Sequence, residues 1–338
     1  MQDNFLIRKI MNEEQISVVN EVAAQYWQQD QDQITDALLS IEIIKRTGGK
    51  IMGFFPKFKE FPPVFFKVYF YDRGFRFEVE GLKTANALAS IHNIRIPRII
   101  NILPEHRAIL MEKKTWQDSD SQIKRFFVNS LNINWEHIGA WLRNFHDSTI
   151  TQDKNEYFIR KKFEKIASHL ESLKPLFTRK QLETMDSLII SVKDYIATHS
   201  YEWVISHGDF GLDNIKISVS GLQVIDFEDS QMAPREFDII NCLTRLEYTS
   251  YFPHNSGEYY KICHEFLEGY KLHFCTTPIS NFIYLLIKLD MIESYYRREK
   301  GKAGEGYKKL FYSYYEREGI KRLCQWLDRV NSGGLLND

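Results

Sequence analysis

A chain of 338 residues, 43% apolar and 26% charged, has the balance of a folded globular protein and exceeds the usual size of one compact core, so two lobes are expected. A formal net charge of −1 gives no field that would hold nucleic acid or an anionic membrane, and partners of both kinds are excluded. Four cysteines without CxxC pairing, in a chain too long to need disulfide staples, point to a reduced, cytoplasmic setting.

The first apolar stretch, in MQDNFLIRKIMNEEQ, is broken by Arg8, Lys9 and Glu13 and does not read as a signal peptide. Residues 12–27 place Ile16, Val19, Val22, Ala23 and Tyr26 at helical spacing, and the polar run QQDQDQ after them reads as a surface link. Residues 1–40 therefore form a helical extension. From Ile41 the runs shorten and become β-rich: IEIIKRT, a Gly48-Gly49 turn, KIMGFFPKF, a Pro62-Pro63 break, and VFFKVYFY. FRFEVEGLKTANALASI is helical and stops before Pro97, and IPRIINIL and HRAILMEK add two strands. The spacing thus predicts a five-strand, one-helix unit over 41–112, and a first lobe over 1–112.

Beyond Lys113 the pattern is helical: WEHIGAWLRNFHDS, YFIRKKFEKIASHLESL, RKQLETMDSLIISVKDYIATH, FDIINCLTRLEY and most of 257–330, with one β-rich island at 203–230. The most apolar of these segments, Asn281 to Ile292, contains Lys288 and Asp290 and falls short of the roughly 20 residues that span a bilayer, so it reads as a core helix. Residues 113–338 form the second lobe. The whole is an α+β protein with a small antiparallel sheet in one lobe and helices in the other.

Chemistry concentrates in the island WVISHGDFGLDNIKISVSGLQVIDFEDS, where Asp209, Asn214 and Asp226 arrive at strand ends. Carboxylates and an amide oxygen are the groups that hold Mg²⁺ on a triphosphate and accept a hydroxyl proton. In the first lobe Lys67 sits mid-strand in VFFKVYF, where a lysine must reach a ligand cleft or solvent; it is the candidate to hold nucleotide phosphates. Gly48, Gly49 and Gly53 lie between the first two strands, in RTGGKIMG. They either let backbone amides approach a phosphate or only make the turn.

HGDFGLDN followed by IDFE resembles the signature of the aminoglycoside phosphotransferase and choline kinase superfamily, which has a two-lobed protein-kinase-like fold. IGAWLRNFHDS, with Phe145-His146, and REFDI extend the resemblance over most of residues 41–250. It implies an enzyme that moves phosphate from Mg-ATP or Mg-GTP to a small-molecule hydroxyl. Asp209 would be the catalytic base, Asn214 and Asp226 the metal ligands, and His207 and Asp238 supports of the catalytic loop. Lys67 would pair with a glutamate on the following helix; Glu80, in line with Thr84, Ala87, Leu88 and Ile91, is preferred to Glu78. Backbone groups near Met111, Glu112 and Lys113 would meet the adenine. His146, on an apolar helical face, reads as a core histidine.

For the acceptor, Glu228, Asp229 and Glu247 are acidic candidates that a cationic aminoglycoside or amino alcohol would meet. Tyr248, Tyr251, Phe252, Tyr295 and Tyr296 could wall a quaternary amine or stack on a sugar. The catalytic loop is closer to the antibiotic kinases, and IDFEDSxxxxREFDI to the choline kinases. A nucleotide-binding pseudokinase acting through a protein partner is the alternative reading.

Overall fold

The computed structural model describes residues 12–46, 49–88, 94–112, 133–152, 155–218, 221–249, 256–272, 277–300 and 307–331. Gly48, Lys113, Tyr251, Phe252 and the side chain of Tyr248 lie outside the described residues. In chain order the elements are α1 (Glu13–Trp27), α2 (Thr35–Leu39), β1 (Glu42–Arg46), β2 (Lys50–Phe55), β3 (Val64–Tyr69), α3 (Asp72–Ala87), β4 (Ile94–Arg95), β5 (Ile99–Leu103) and β6 (Ala108–Glu112). There follow α4 (Trp135–Asp147), α5 (Glu156–Leu173), α6 (Arg179–Thr198), β7 (Trp203–Ser206), β8 (Ile215–Ser218), β9 (Gly221–Val224) and β10 (Gln231–Pro234). Four helices close the series: α7 (Glu236–Thr249), α8 (Ser256–Tyr270), α9 (Pro278–Lys300) and α10 (Tyr307–Asn331). The chain divides into two compact units, residues 1–125 with 215–230 and residues 126–214 with 231–338.

The first unit is built on an antiparallel sheet in the order β1-β2-β3-β6-β5. Side chains alternate between its faces. Val64, Phe66 and Val68 of β3 join Ile51 and Phe55 of β2 in one apolar cluster, and α1 supplies its other wall with Val19, Val22, Ala23 and Trp27. Asn12 starts α1 through a capping box with Gln15. Trp27 is fully buried, its ring centroid 5.6 Å from that of Phe55 and 5.1 Å from that of Phe58. The run expected to be a surface link instead contributes a 3₁₀ turn, Gln31–Ile34, that buries Ile34 in the same cluster.

Lys67 and Tyr69 of β3 alternate to the opposite face, the one covered by α3. The buried residues of α3 are Phe75, Glu78, Gly81, Leu82 and Ala85, at helical spacing. A further sheet in the order β4-β9-β8 completes this unit; β4 pairs parallel with β9, a contact too short to read from the sequence.

In the second unit α5, α6, α9 and α10 share one core with Trp203 of β7 and Trp326 of α10. Phe282, Ile283, Leu285, Leu286, Leu289 and Ile292 of α9 belong to it, so this apolar run is a core helix. No helix among the described residues is long and apolar enough to cross a membrane. β10 continues past the expected island to pair with β7. Helices α4 and α8 cross where each has a glycine: a Cβ on Gly139 would run into the Phe266 carbonyl, and one on Gly269 into the Glu136 carbonyl. That close crossing sets Tyr270 against His146.

Candidate active site

In the first unit the residues on the α3-covered face of the sheet meet the segment after β9. Lys67 Nζ donates to Glu78 Oε1 at 2.9 Å and to Asp226 Oδ1 at 2.6 Å. Tyr69 Oη donates to the other Glu78 oxygen at 3.1 Å. Burial disfavours the Lys67 charge, but the Asp226 and Glu78 carboxylates outweigh it and raise the pKa above the ordinary lysine value. Burial raises the Glu78 pKa against the pull of Lys67, and raises that of Tyr69 with help from Glu78. Removing one partner from such a buried set costs about 3–5 kcal/mol, because the charge left behind has no water to turn to.

Asp226 holds this position with a backbone φ of 66°, a left-handed conformation that a non-glycine residue adopts at some cost. Lys50, at the head of β2, also reaches the cluster. It is buried, 3.5 Å from Asp226 Oδ1, and bonded to Glu228 Oε2. Carboxylate oxygens of Glu78, Asp226 and Glu228 all lie within 4.8 Å of one another, a spacing that one divalent cation could bridge.

The glutamate that pairs with Lys67 is Glu78 and not Glu80, which is exposed on α3. The inward stripe runs through 75, 78, 82 and 85, two positions off the stripe through Thr84, Ala87 and Leu88 that favoured Glu80. The helix begins at Asp72, earlier than the apolar pattern suggests, so Glu78 sits in its second turn and is well anchored.

In the second unit the loop after β7 is held from beneath by Asp238, which is fully buried in the first turn of α7. Its Oδ2 accepts from the His207 amide at 2.6 Å and its Oδ1 from the Gly208 amide at 2.9 Å. Gly208 adopts φ 84°, which favours glycine. Asp238 Oδ2 also lies 3.0 Å from His146 Nε2, and His146 Nδ1 lies 2.7 Å from Tyr270 Oη. A carboxylate can only accept, so His146 donates from Nε2 and its Nδ1 accepts from Tyr270. Burial lowers the His146 pKa despite the adjacent Asp238.

The Asp209 carboxylate on this loop is held at both oxygens. Oδ1 takes Nη2 of Arg245 from α7, and Oδ2 accepts from Asn214 Nδ2 at 3.0 Å. Asn214 Nδ2 also donates to the Asp209 carbonyl at 2.8 Å, so its side-chain oxygen is the ligand atom it could offer a metal. His207 is buried; its Nδ1 accepts from the Asp209 amide at 3.4 Å and its ring meets Phe210 edge-on.

Of the acidic residues assigned to the acceptor, Glu228 pairs with Lys50 in the first unit. Glu247 lines a cavity of about 750 Å³ in the second unit, but its carboxylate lies 2.6 Å from buried Lys288, 3.1 Å from Tyr284 Oη and 3.7 Å from Arg322. Both are neutralised by cations far away in sequence, which the expectation of an open acidic subsite did not foresee. Asp229 is exposed beside Glu228. Tyr295 packs on Tyr312 and Tyr315, and Tyr296 against the helical core. Met111 is buried in β6 between Phe65 and Ile99, and the Glu112 amide donates to the Arg98 carbonyl. Gly49 accepts from the Phe70 amide, while Gly53 is needed for packing, since a Cβ there would meet the Glu42 carbonyl.

An antiparallel sheet with a lysine–glutamate pair, and a helical unit with a braced HGDxxxxN loop, define the class of protein-kinase-like phosphotransferases. Solved structures share this fold. Spectinomycin phosphotransferase, in complex with ADP and spectinomycin, superposes with a TM-score of 0.53 at 14% identity, covering 86% of this chain and 97% of its own. The GDP complex of aminoglycoside 2′-phosphotransferase-IIIa gives 0.53 at 11% identity, covering 87% and 99%. A choline/ethanolamine kinase family protein from Mesorhizobium loti gives 0.51 at 12% identity, covering 85% and 87%. The chain belongs to the phosphotransferase enzyme family (APH), whose model matches residues 83–270, more than half of its length. No curated protein matches it in sequence.

Proposed function

We propose that this phosphotransferase is a small-molecule kinase that uses Mg-bound ATP or GTP to phosphorylate a hydroxyl of an aminoglycoside-like molecule, an amino alcohol or a sugar. The observation that carries the reading is Asp209: a carboxylate on a braced loop, oriented at both oxygens by Arg245 and Asn214, yet only half-buried. Such a group can hold an acceptor hydroxyl in line and take up its proton. The ADP and GDP bound in two similar structures support a nucleotide as the donor.

The residues present fit the nucleotide and its metal. Lys67, buried beside Glu78 and Asp226, would hold phosphate, and Asn214 and Asp226 would be the metal ligands. A bound Mg²⁺ supplies charge neutralisation on the phosphates. The chain's own residues position the reactants: Asp238 fixes the His207 and Gly208 amides, and these fix Asp209. With Glu228 and Glu247 paired to lysines, charge gives no reason to prefer a polycationic acceptor over a neutral sugar or alcohol.

Asp209→Asn is expected to lower turnover about 10²-fold or more while nucleotide affinity stays within about threefold of wild type. The measurement is nucleotide consumption across aminoglycosides, amino alcohols and sugars, alongside equilibrium nucleotide binding. Wild-type turnover by the variant refutes the assignment of Asp209. A wild-type protein that binds nucleotide but phosphorylates nothing in the panel favours the pseudokinase instead.

A further inference from the structure

We infer that Lys50 is a second polyphosphate-binding lysine, acting with Lys67 on the nucleotide; this rests on the nucleotide-dependent phosphotransfer proposed above. Lys50 and Lys67 lie on adjacent strands, β2 and β3, and are 6% and 5% exposed. Both ammonium groups approach the same atom, Asp226 Oδ1, at 3.5 and 2.6 Å. Each has a second carboxylate of its own, Glu228 for Lys50 and Glu78 for Lys67. Two lysines this deeply buried are tolerated only because the carboxylates neutralise them.

The two differ in access. Lys50 and Glu228 line a cavity of about 480 Å³ whose wall also includes Gly49, Tyr69 and Arg73, whereas Lys67 does not line it. An anion entering that cavity reaches Lys50, at the head of β2, and not Lys67. The sequence RTGGKIMG has no GxGxxG series of the kind that presents successive amides to a phosphate, and a side-chain cation at the head of β2 is a source of charge there. The carboxylates that hold Lys50, Asp226 and Glu228, are oxygen ligands suited to a divalent cation. A metal–polyphosphate brings both charges at once: cation for the carboxylates, anion for the lysine.

The test is titration calorimetry of adenosine, Mg-ADP, a non-hydrolysable Mg-ATP analogue and the same nucleotides without metal against wild type, Lys50→Met, Lys50→Arg and the double variant Lys50→Met/Glu228→Gln. Lys50→Met is expected to weaken the triphosphate analogue about 10- to 100-fold, the loss of one charge-assisted contact, with adenosine affinity unchanged within about twofold. Lys50→Arg keeps most of the affinity. The double variant relieves the stranded Glu228; read with the metal-free nucleotides, for which Glu228 is no ligand, it separates phosphate binding from counter-charge and is expected to stay as weak as Lys50→Met. Recovery of affinity in the double variant reduces Lys50 to a counter-ion for Glu228 and overturns the inference. So does an unaltered Lys50→Met. If Lys50→Met does not fold, the double variant and Lys50→Arg decide between the same outcomes. A wild-type protein that binds no nucleotide overturns the phosphotransfer reading as well, whereas nucleotide binding indifferent to Lys50 leaves that reading standing.

Discussion

Glu78 and Glu80 stand two residues apart on one helix and have opposite fates. Glu78 is buried between Lys67 and Tyr69, while Glu80 is exposed. Glu78→Gln removes the charge that compensates Lys67, and about 3 kcal/mol of stability is expected to go with it; Glu80→Gln stays within about 0.5 kcal/mol. Urea unfolding of both variants checks the pair, and equal effects would contradict the burial assigned to Glu78. The residues themselves were legible: a lysine mid-strand, HGDxxxxN and IDFE already point to their chemistry. What could not be read is which distant charge meets which. Arg245 on Asp209, Lys50 on Glu228 and Lys288 on Glu247 are contacts across 36, 178 and 41 positions, and no local spacing encodes them.

Helices carry these groups to their places. Tyr270 on α8 and His146 on α4 meet because Gly139 and Gly269 let the two backbones touch, and His146 then supports the Asp238 that holds the HGDxxxxN loop. The apolar helix face suggested a core histidine, and the buried imidazole is that; its link to the loop appears only when α7 is in place. Because burial holds the folded-state pKa of His146 below the ordinary value, the unfolded chain takes up this proton first as pH falls. Its contribution is complete above about pH 6.5 and is lost below it, with a slope of at most about 1.4 kcal/mol per pH unit. The melting-temperature advantage of wild type over His146→Gln should therefore shrink between pH 8 and pH 5; an advantage that does not change with pH contradicts this. Strand β4, at two residues, was too short for periodicity to reveal, and β10, QMAP, has no alternation of apolar and polar residues.

At the scale of the whole molecule, the five-strand, one-helix pattern and the helical remainder were readable from alternation and from 3.6-residue spacing. The role of residues 12–40 was not. Their amphipathic pattern shows a helix, but only the fold shows that α1 is one wall of the sheet's core, with Trp27 against Phe55 and Phe58. Trp27→Ala is expected to cost about 3–5 kcal/mol, and deleting residues 1–40 to leave the apolar face of the sheet uncovered and the protein prone to aggregate. Chemical denaturation and light scattering measure the two effects; a soluble deletion variant with wild-type stability would contradict the place given to α1.

The function proposed for the molecule is phosphoryl transfer, with Asp209 orienting the acceptor. Phosphorus NMR of Mg-ATP with wild type and Asp209→Asn, across hydroxyl-bearing small molecules, tests it most directly. Wild type is expected to give a new phosphate-ester resonance whose rate of appearance falls at least about 10²-fold in the variant while both bind nucleotide alike. An ester formed equally fast by the two proteins, or formed by neither, would contradict it.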